Sequence, residues 1–350
     1  MQAQNIGIIG ATGYVGMELV RILSSHPSFT LTRLTSQTYE GKRFSDLYPA
    51  FRQMVDLPLT AADPDDLADA CDLVITALPH GVAAATVPDL LRRGLRVLDH
   101  SGDFRYRNVE TYEKAYHLVH PAPELLDEAV YGLPELYRDQ LADTRLAANP
   151  GCYPTCSLLG LLPVLRAGLA DPGQILISAV SGVSGAGRQS SLAFSFCETD
   201  NSCRPYSAVG HRHTSEIEQE IGLMAGLNEP PAISFTPHLI PVKRGMLATI
   251  HIRPCAGVTE SMIAEAFSRQ CADEPFLRLL PAGQLPETRH VAYTNFCDLS
   301  FALDPSSGWL KIFSAIDNLG KGAAAQAVQT LNCMTGRPET EGLLTVGGSI

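Results

Sequence analysis

A chain of 350 residues is long for one compact core and comfortable for two, so two domains are expected. Hydrophobic residues at 45% and charged residues at 18% are ordinary for a globular protein. The net charge of −11 argues against a nucleic-acid surface or an anionic membrane as the main partner, while leaving room for a local basic pocket that takes a small anion.

From Met1 the chain runs almost directly into the apolar stretch of residues 5–10, without a basic region and apolar core of the signal-peptide kind, so a cytoplasmic protein is expected. A glycine turn follows, then Val15, Leu19, Val20, Ile22 and Leu23 at close to a 3.6-residue period, which predicts a helix over 14–25. "FTLTRLT" (29–35) is β-branched and alternating, completing a βαβ unit. "CDLVITALP" (71–79) and "LRVLDHSGD" (95–103) are further buried strands, joined by a helical stretch near 82–93 in which Pro88 is expected to kink the helix or start a second one. Strands alternating with helices predict a parallel sheet covered on both faces. After Cys152 the texture changes. "QILISAVSGVSGAGR" reads as a strand entering a glycine-rich loop, and "AISFTPHLIPV", "GMLATIHIRP" and "WLKIFSAIDN" as longer β runs, with a helix near 259–271. Residues 320–334 return to an alanine-rich helix. The fold class expected is α/β. A Rossmann-type dinucleotide-binding domain (1–150) precedes an α+β catalytic and oligomerisation domain with a mixed or antiparallel sheet (151–317), and a C-terminal helix (318–350) packs back on the first domain. The longest apolar runs are broken at Gly160 or Pro163, so no membrane span is expected.

"GATGYVG" sets Gly10, Gly13 and Gly16 at the first strand-to-helix turn, where glycine allows close backbone approach to phosphate and the helix N-terminus offers free N–H groups. The acid expected about twenty residues further on, for a ribose 2′-hydroxyl, is missing. Thr35, Ser36 and Gln37 stand there instead, with Lys42 and Arg43 after them, which favours a 2′-phosphate and hence NADP(H). None of the eleven tyrosines is followed by lysine four positions later, which sets aside the short-chain dehydrogenases.

Nine cysteines at irregular spacing do not form a secreted disulfide framework, and no zinc-type pair of pairs exists. Cys71, Cys255, Cys271, Cys297 and Cys333 read as packing residues. Cys152, in "NPGCYPT", differs. It follows a tight turn and precedes Pro154, which suits a first helical turn, so a dipole-stabilised thiolate is expected. "GHRHTSEIEQEI" offers His211 and His213 as acid/base candidates, with Thr214 or Ser215 as N-cap of an acidic amphipathic helix. The H-x-H pair lacks an obvious third ligand, and no metal is expected. Arg105, Arg188, Arg204, Lys243 and Arg244 are candidate anion-binding cations beside glycines or strand ends.

Taken in order, "GATGYVG", "HSGDFR", "YGLPE", "ANPGCYPT", "GVSGAGR", "HRHTSEIEQ", "PVKRG" and "DNLGKGAAAQAVQ" resemble the N-acetyl-γ-glutamyl-phosphate reductase family of arginine biosynthesis over residues 5–336. The resemblance implies NADPH-dependent reductive dephosphorylation of N-acetyl-γ-glutamyl phosphate to the semialdehyde through a cysteine thioester. Cys152 would be the nucleophile, and His211 or His213 the acid/base. Cofactor contacts would come from Gly10, Thr12, Gly13, Tyr14, Val15, Gly16, Ser36, Leu78 and Pro79, from Ser181, Gly182, Ser184, Gly185, Ala186 and Gly187, and from Asn318. Substrate contacts would come from Arg105, Asn149, Arg188, Tyr206, Lys243 and Arg244. The partners implied are the acyl phosphate and phosphate, in a homodimer or homotetramer. Aspartate-semialdehyde dehydrogenase, an aminoadipyl-phosphate reductase and a non-catalytic NADP(H) sensor are the alternatives. Cys156 stands where that family has a small residue, which places a second thiol one turn from the first.

Overall fold

The run QNIGII buries its last four residues and forms strand β1 (Gln4–Ile9). The computed structural model describes residues 3–347 and divides into two units, residues 3–150 with 323–344 and residues 151–322 with 345–347. In the first unit β1 is joined by β2 (Phe29–Thr35), β3 (Leu59–Thr60), β4 (Leu73–Thr76), β5 (Arg96–Asp99), β6 (Val130–Tyr131) and β7 (Leu146–Ala148). They form one sheet in the order β3-β2-β1-β4-β5-β7-β6, and every neighbouring pair is parallel. This is the expected doubly wound sheet. Its order reverses at β1 and β4, so the carboxyl ends of those strands flank the crevice in which such sheets bind ligands. Helices cover both faces, which is why all of β4 is buried and reads as an unbroken apolar run. Ile6, Ile8, Leu73, Ile75, Val97 and Leu98 are wholly buried, each stabilising the fold by about 1.5–3 kcal/mol.

Pro88 neither ends a helix nor starts one: Ala83–Arg92 is a single helix that contains it. The proline sits one turn inside the N-terminus, where the bond it removes is an early one. The alanine-rich segment is a π turn (Gly320–Ala324) followed by the helix Ala325–Met334, all ten residues of which are buried. That helix packs on the helices Tyr14–Leu23 and Pro134–Asp143. Its polar side chains serve as backbone partners, since Gln326 and Thr330 both donate to the Gly132 carbonyl at 2.8 and 2.9 Å.

The second unit carries β8 (Ala170–Gly182), β9 (Arg204–Pro205), β10 (Ser234–Ile240), β11 (Met246–Pro254), β12 (Leu277–Leu279), β13 (Cys297–Leu303) and β14 (Leu310–Ile316). The sheet order is β12-β13-β14-β11-β8-β10-β9. The β8–β10 and β12–β13 pairs are parallel and the rest antiparallel, giving the mixed sheet expected. Against it lies the helix Cys152–Arg166, in which every residue from Tyr153 to Leu165 is buried. This cysteine helix packs on β8, β11 and β14 and on the helices Arg212–Met224 and Glu260–Ala272. An all-round apolar helix belongs in a core. Gly160 permits the close approach, since a Cβ there would come within 3.1 Å of Ile250. Only the first residue, Cys152, and the last, Arg166, reach out of that packing.

Candidate active site

In the first unit the glycine turn is enforced by its surroundings. Gly10 has φ +83°, and a Cβ there would lie 2.4 Å from the Ala77 carbonyl oxygen, while at Gly16 it would lie 2.4 Å from the Gly10 oxygen. A Cβ on Gly13 would meet only the Gly10 oxygen, at 3.8 Å, and Gly13 is the N-cap of the helix Tyr14–Leu23, without a side-chain cap. A smooth cradle ending in an uncapped helix N-terminus is what a dinucleotide pyrophosphate requires. Thr12 and Ser36 meet hydroxyl to hydroxyl at 3.0 Å, and Tyr48 donates to the Thr12 carbonyl at 2.7 Å, which fixes the tip of the turn. Of the two loop cations, Arg43 pairs with Asp56 and the Lys42 ammonium lies over the Tyr39 ring. Replacing Gly10 by alanine is expected to abolish cofactor binding in a chain that still folds or to prevent folding. Fluorescence titration with NADPH beside a melting curve distinguishes these, and wild-type affinity would contradict the geometry.

At the carboxyl end of the same sheet, Arg105 is buried and donates through Nε to the Asn149 carbonyl at 2.7 Å and through Nη2 to the His100 carbonyl at 3.2 Å. These bonds brace the chain ahead of the cysteine turn. Asn149 is wholly buried, its amide nitrogen on the Ala323 carbonyl at 3.2 Å. Burial and the Arg105 charge push the His100 imidazole down to about 3.

In the second unit Cys152 is the first residue of its helix and Gly151 the N-cap, with no side-chain cap. A Cβ on Gly151 would lie 2.6 Å from Nε2 of His213, so the imidazole rests on the glycine next to the thiol. A Cβ on Gly322 would lie 2.9 Å from the Cys152 Cβ, so a second glycine shapes the other approach. The Gly151 N–H donates to Oε1 of Glu216 at 2.9 Å, and Glu216 is fully buried.

The two histidines are distinguished by their bonds. The histidine helix, Arg212–Met224, begins earlier than Thr214 or Ser215 would allow, because its N-cap is His211, whose Nδ1 accepts from the His213 N–H at 3.1 Å. An imidazole here does the work of the usual capping oxygen. Burial, with the neighbouring Arg212 charge, pushes His211 down to about 4, so the neutral ring that can accept this bond prevails at neutral pH. Around the pair stand Tyr153, Tyr206 and Phe235, with the His211 and His213 centroids 5.0 Å apart. Tyr206 donates to the Tyr153 hydroxyl at 3.0 Å, and burial raises both phenols.

The loop following β8 is knit to the turn following β10. Gly182 and Val183 donate to the Gly245 and Val242 carbonyls, and Asn318 accepts from Gly245 N–H at 2.8 Å while donating to Ser184 Oγ at 2.9 Å. Residues 181–187, Lys243 and Asn318 are thus one assembly, with Gly185, Ala186, Gly187, Arg188 and Lys243 exposed. Arg244 pairs with buried Asp317 at 2.9 Å and covers the Tyr293 ring at 4.2 Å.

Cys156 points into the core, donating to the Ser314 carbonyl at 3.2 Å, and burial pushes its thiol up to about 12. The nine cysteines form no disulfide. Cys255, expected to be a packing residue, is exposed because it follows the end of β11. Among the described residues no group of three or more potential ligands could hold a metal ion. Sequence reasoning missed Glu216, Tyr153 and Gly322. The signal for Glu216 was its place three residues after His213, which puts both on one face of a helix.

A parallel dinucleotide-type sheet, and a second unit presenting a helix-terminal thiol beside an imidazole, are the features of an oxidoreductase with a candidate nucleophile. The chain belongs to the semialdehyde dehydrogenase family: the NAD binding domain model of that family matches residues 5–144 and its dimerisation domain model residues 152–318. It is 48% identical over 343 residues to a protein of Acetivibrio thermocellus named N-acetyl-gamma-glutamyl-phosphate reductase, covering 98% of this chain and 99% of that one. A protein of the same name from Desulforapulum autotrophicum is 47% identical, covering 99% of each chain. The fold is similar to that of aspartate semialdehyde dehydrogenase II of Vibrio cholerae, with a TM-score of 0.75 at 18% identity over 95% of this chain and 98% of that one. It is also similar to aspartate semialdehyde dehydrogenase of Candida albicans solved with NADP, with a TM-score of 0.71 at 16% identity over 95% and 98%.

Proposed function

We propose that this enzyme reduces N-acetyl-γ-glutamyl phosphate to N-acetylglutamate semialdehyde with NADPH, releasing phosphate, as in arginine biosynthesis. The observation that carries the chemistry is the His213 imidazole resting on Gly151, next to a thiol at a helix N-terminus. His213 is assigned as the acid/base, because its ring rests on Gly151 while Nδ1 of His211 is engaged as a helix cap. His213 takes the Cys152 proton, and the helix dipole favours the thiolate that results. The thiolate adds to the acyl phosphate carbonyl and the C–O bond to phosphate breaks, leaving a thioester on Cys152. The glycine cradle of Gly10, Thr12, Gly13, Tyr14, Val15 and Gly16, with Ser36, Leu78 and Pro79 beside it, would hold NADPH, which would supply the hydride. As the thioester carbon is reduced, the His213 imidazolium protonates its oxygen. His213 then removes that proton as the C–S bond breaks, freeing the aldehyde and returning the thiolate. Arg188 and Lys243, exposed cations on and beside the 181–187 assembly, are assigned to the anionic groups of the substrate, and Tyr206 to their positioning. Asn318 and Ser184 hold the loop assigned to the nicotinamide. The aspartate substrate is less well supported, because relatives at 47–48% identity over the whole chain carry the acetylglutamyl name. The deciding assay follows NADPH appearance from N-acetylglutamate semialdehyde, NADP and phosphate, with aspartate semialdehyde as comparator. Faster turnover of the comparator would overturn the substrate assignment.

A homodimer through the second sheet is part of the same reading, with a homotetramer the next assembly to consider. Along β11 fully buried Met246, Ala248, Ile250 and Ile252 alternate with half-buried Leu247, Thr249 and His251, so one face packs on the helices while the other offers a partly apolar surface with Leu176 and Phe313. Light scattering on the purified chain should give at least twice the 37.7 kDa monomer mass, and Thr249→Arg should shift it to monomer. A monomeric wild type would exclude this interface. With nine reduced cysteines and no described helix long and apolar enough to cross a membrane, we assign the activity to the cytoplasm.

A further inference from the structure

We infer that Tyr293 is a positioning residue whose ring sets the plane of the Arg244 guanidinium, so that Arg244 takes an anionic group of the substrate, phosphate or carboxylate. The inference rests on the substrate contact that the sequence motifs imply for Arg244. It starts from the backbone. Among the described residues, those other than glycine with a positive φ are Gln53, His117, Asn201, Ser207 and Tyr293. Tyr293 is the bulkiest of them, and at φ +64° an L side chain crowds the following carbonyl. A glycine would adopt that φ at no steric cost, so the local fold does not require a tyrosine. What the side chain touches gives it a use. Its partly exposed ring lies 4.2 Å from the Arg244 guanidinium carbon. Both main-chain groups of Tyr293 are engaged: the N–H donates to Asp317, and the carbonyl accepts from Thr345 Oγ1 at 3.2 Å. Asp317 also accepts from Arg244 Nε at 3.1 Å. One carboxylate therefore fixes the edge of the guanidinium and the residue that supplies its face. The next residue is fitted as closely. Gly245 has φ +116°, and a Cβ there would lie 2.6 Å from the Thr288 Cβ, so residues 288–293 form one wall of the turn that carries Lys243 and Arg244. A guanidinium stacked on an aromatic face is preorganised, and recognises a carboxylate or a phosphate by geometry as well as charge.

The test compares Tyr293→Phe, Tyr293→Leu and Tyr293→Gly in the full chain. The readouts are kcat and the separate KM values for semialdehyde, phosphate and NADP in the assay above, thermal melting, and labelling of Arg244 by phenylglyoxal, followed on its peptide by mass spectrometry. Tyr293→Phe keeps the aromatic face and should rescue the wild-type values. Tyr293→Leu and Tyr293→Gly lose the face, and one anion KM should rise about 3–30-fold while kcat stays within about threefold and the NADP KM is unchanged. Whichever KM rises, phosphate or semialdehyde, identifies the group that Arg244 holds. Arg244 should be labelled at least about threefold faster in both variants, with weaker protection by phosphate or N-acetylglutamate. Tyr293→Gly should melt within a few degrees of the wild type, because the strain it relieves offsets the contacts it loses. If it fails to fold, Tyr293→Leu, which keeps the bulk and the strained backbone, carries the test alone. Wild-type KM values and labelling in Tyr293→Leu would overturn the proposal, as would a loss confined to kcat or an equal rise of KM in Tyr293→Phe. The labelling needs no turnover, so a wrong substrate assignment would show as an inactive wild type while the Arg244 comparison still reports on Tyr293.

Discussion

Cys152→Ser should bind NADPH with wild-type affinity and form no measurable semialdehyde. The glycine cradle belongs to residues 10–16 and is untouched by the change, so cofactor titration should be superimposable. The chemical step depends on the nucleophile. A serine hydroxyl at the same helix N-terminus is far less acidic than a thiol, and an imidazole alone cannot generate enough alkoxide to replace a thiolate. The ester it could form would also be a poorer hydride acceptor than a thioester. A fall in kcat of at least about 10⁴-fold is expected, measured against enzyme purified without contaminating wild type. Turnover within tenfold of wild type would rule out covalent catalysis at Cys152, whatever the substrate.

The two histidines should fail differently. His213→Asn removes the ring that rests on Gly151, and kcat should drop about 10²–10⁴-fold with the melting temperature nearly unchanged. His211→Ala removes a helix cap and should cost about 0.5–2 kcal/mol of stability, with a much smaller effect on kcat. The wild type should show the same role in its pH dependence. The folded His211 titrates near 4 against about 6.5 when unfolded, so folding favours the neutral ring. Its contribution is complete above pH 6.5 and is lost as pH falls toward 4. Denaturant melts at pH 7 and pH 4.5 should therefore differ less in His211→Ala than in the wild type. The reverse pattern, with His211→Ala catalytically dead and His213→Asn active, would exchange the assignments.

The elements that announce themselves in sequence here are those set by local physics. The glycine turn between a short apolar run and a helical stripe marks the dinucleotide sheet, because close approach and free N–H groups require glycine there. A cysteine between a tight turn and a proline marks a helix start. What the sequence hides is decided by partners far along the chain. Arg244 looks like a loop cation until Asp317, 73 residues later, closes on it. Nothing local to Arg105 announces that its Nε and Nη2 lie on the carbonyls of Asn149 and His100. The N-cap of the histidine helix was misplaced because Thr214 and Ser215 are the better cappers by residue type, yet the turn made by His211 put an imidazole nitrogen in position first. Glu216 reads as one of several solvent-facing acids in "SEIEQE", and only tertiary packing turns it inward. Pro88, which by local rule either kinks a helix or starts a new one, lies inside a single helix, so only the new start is excluded.

Cys156, one turn beyond Cys152 but bonded into the core at Ser314, bears on how the enzyme ages under oxidative stress. A nucleophilic thiol that is oxidised to a sulfenic acid survives when a neighbouring cysteine condenses with it and can later be reduced. Cys156 faces away and holds its proton to about pH 12, so it does not act as that resolving thiol. On the proposed mechanism, protection of Cys152 falls to thiols other than Cys156 or to a bound acyl group that occupies the sulfur. Peroxide should thus inactivate the idle enzyme faster than the enzyme at work.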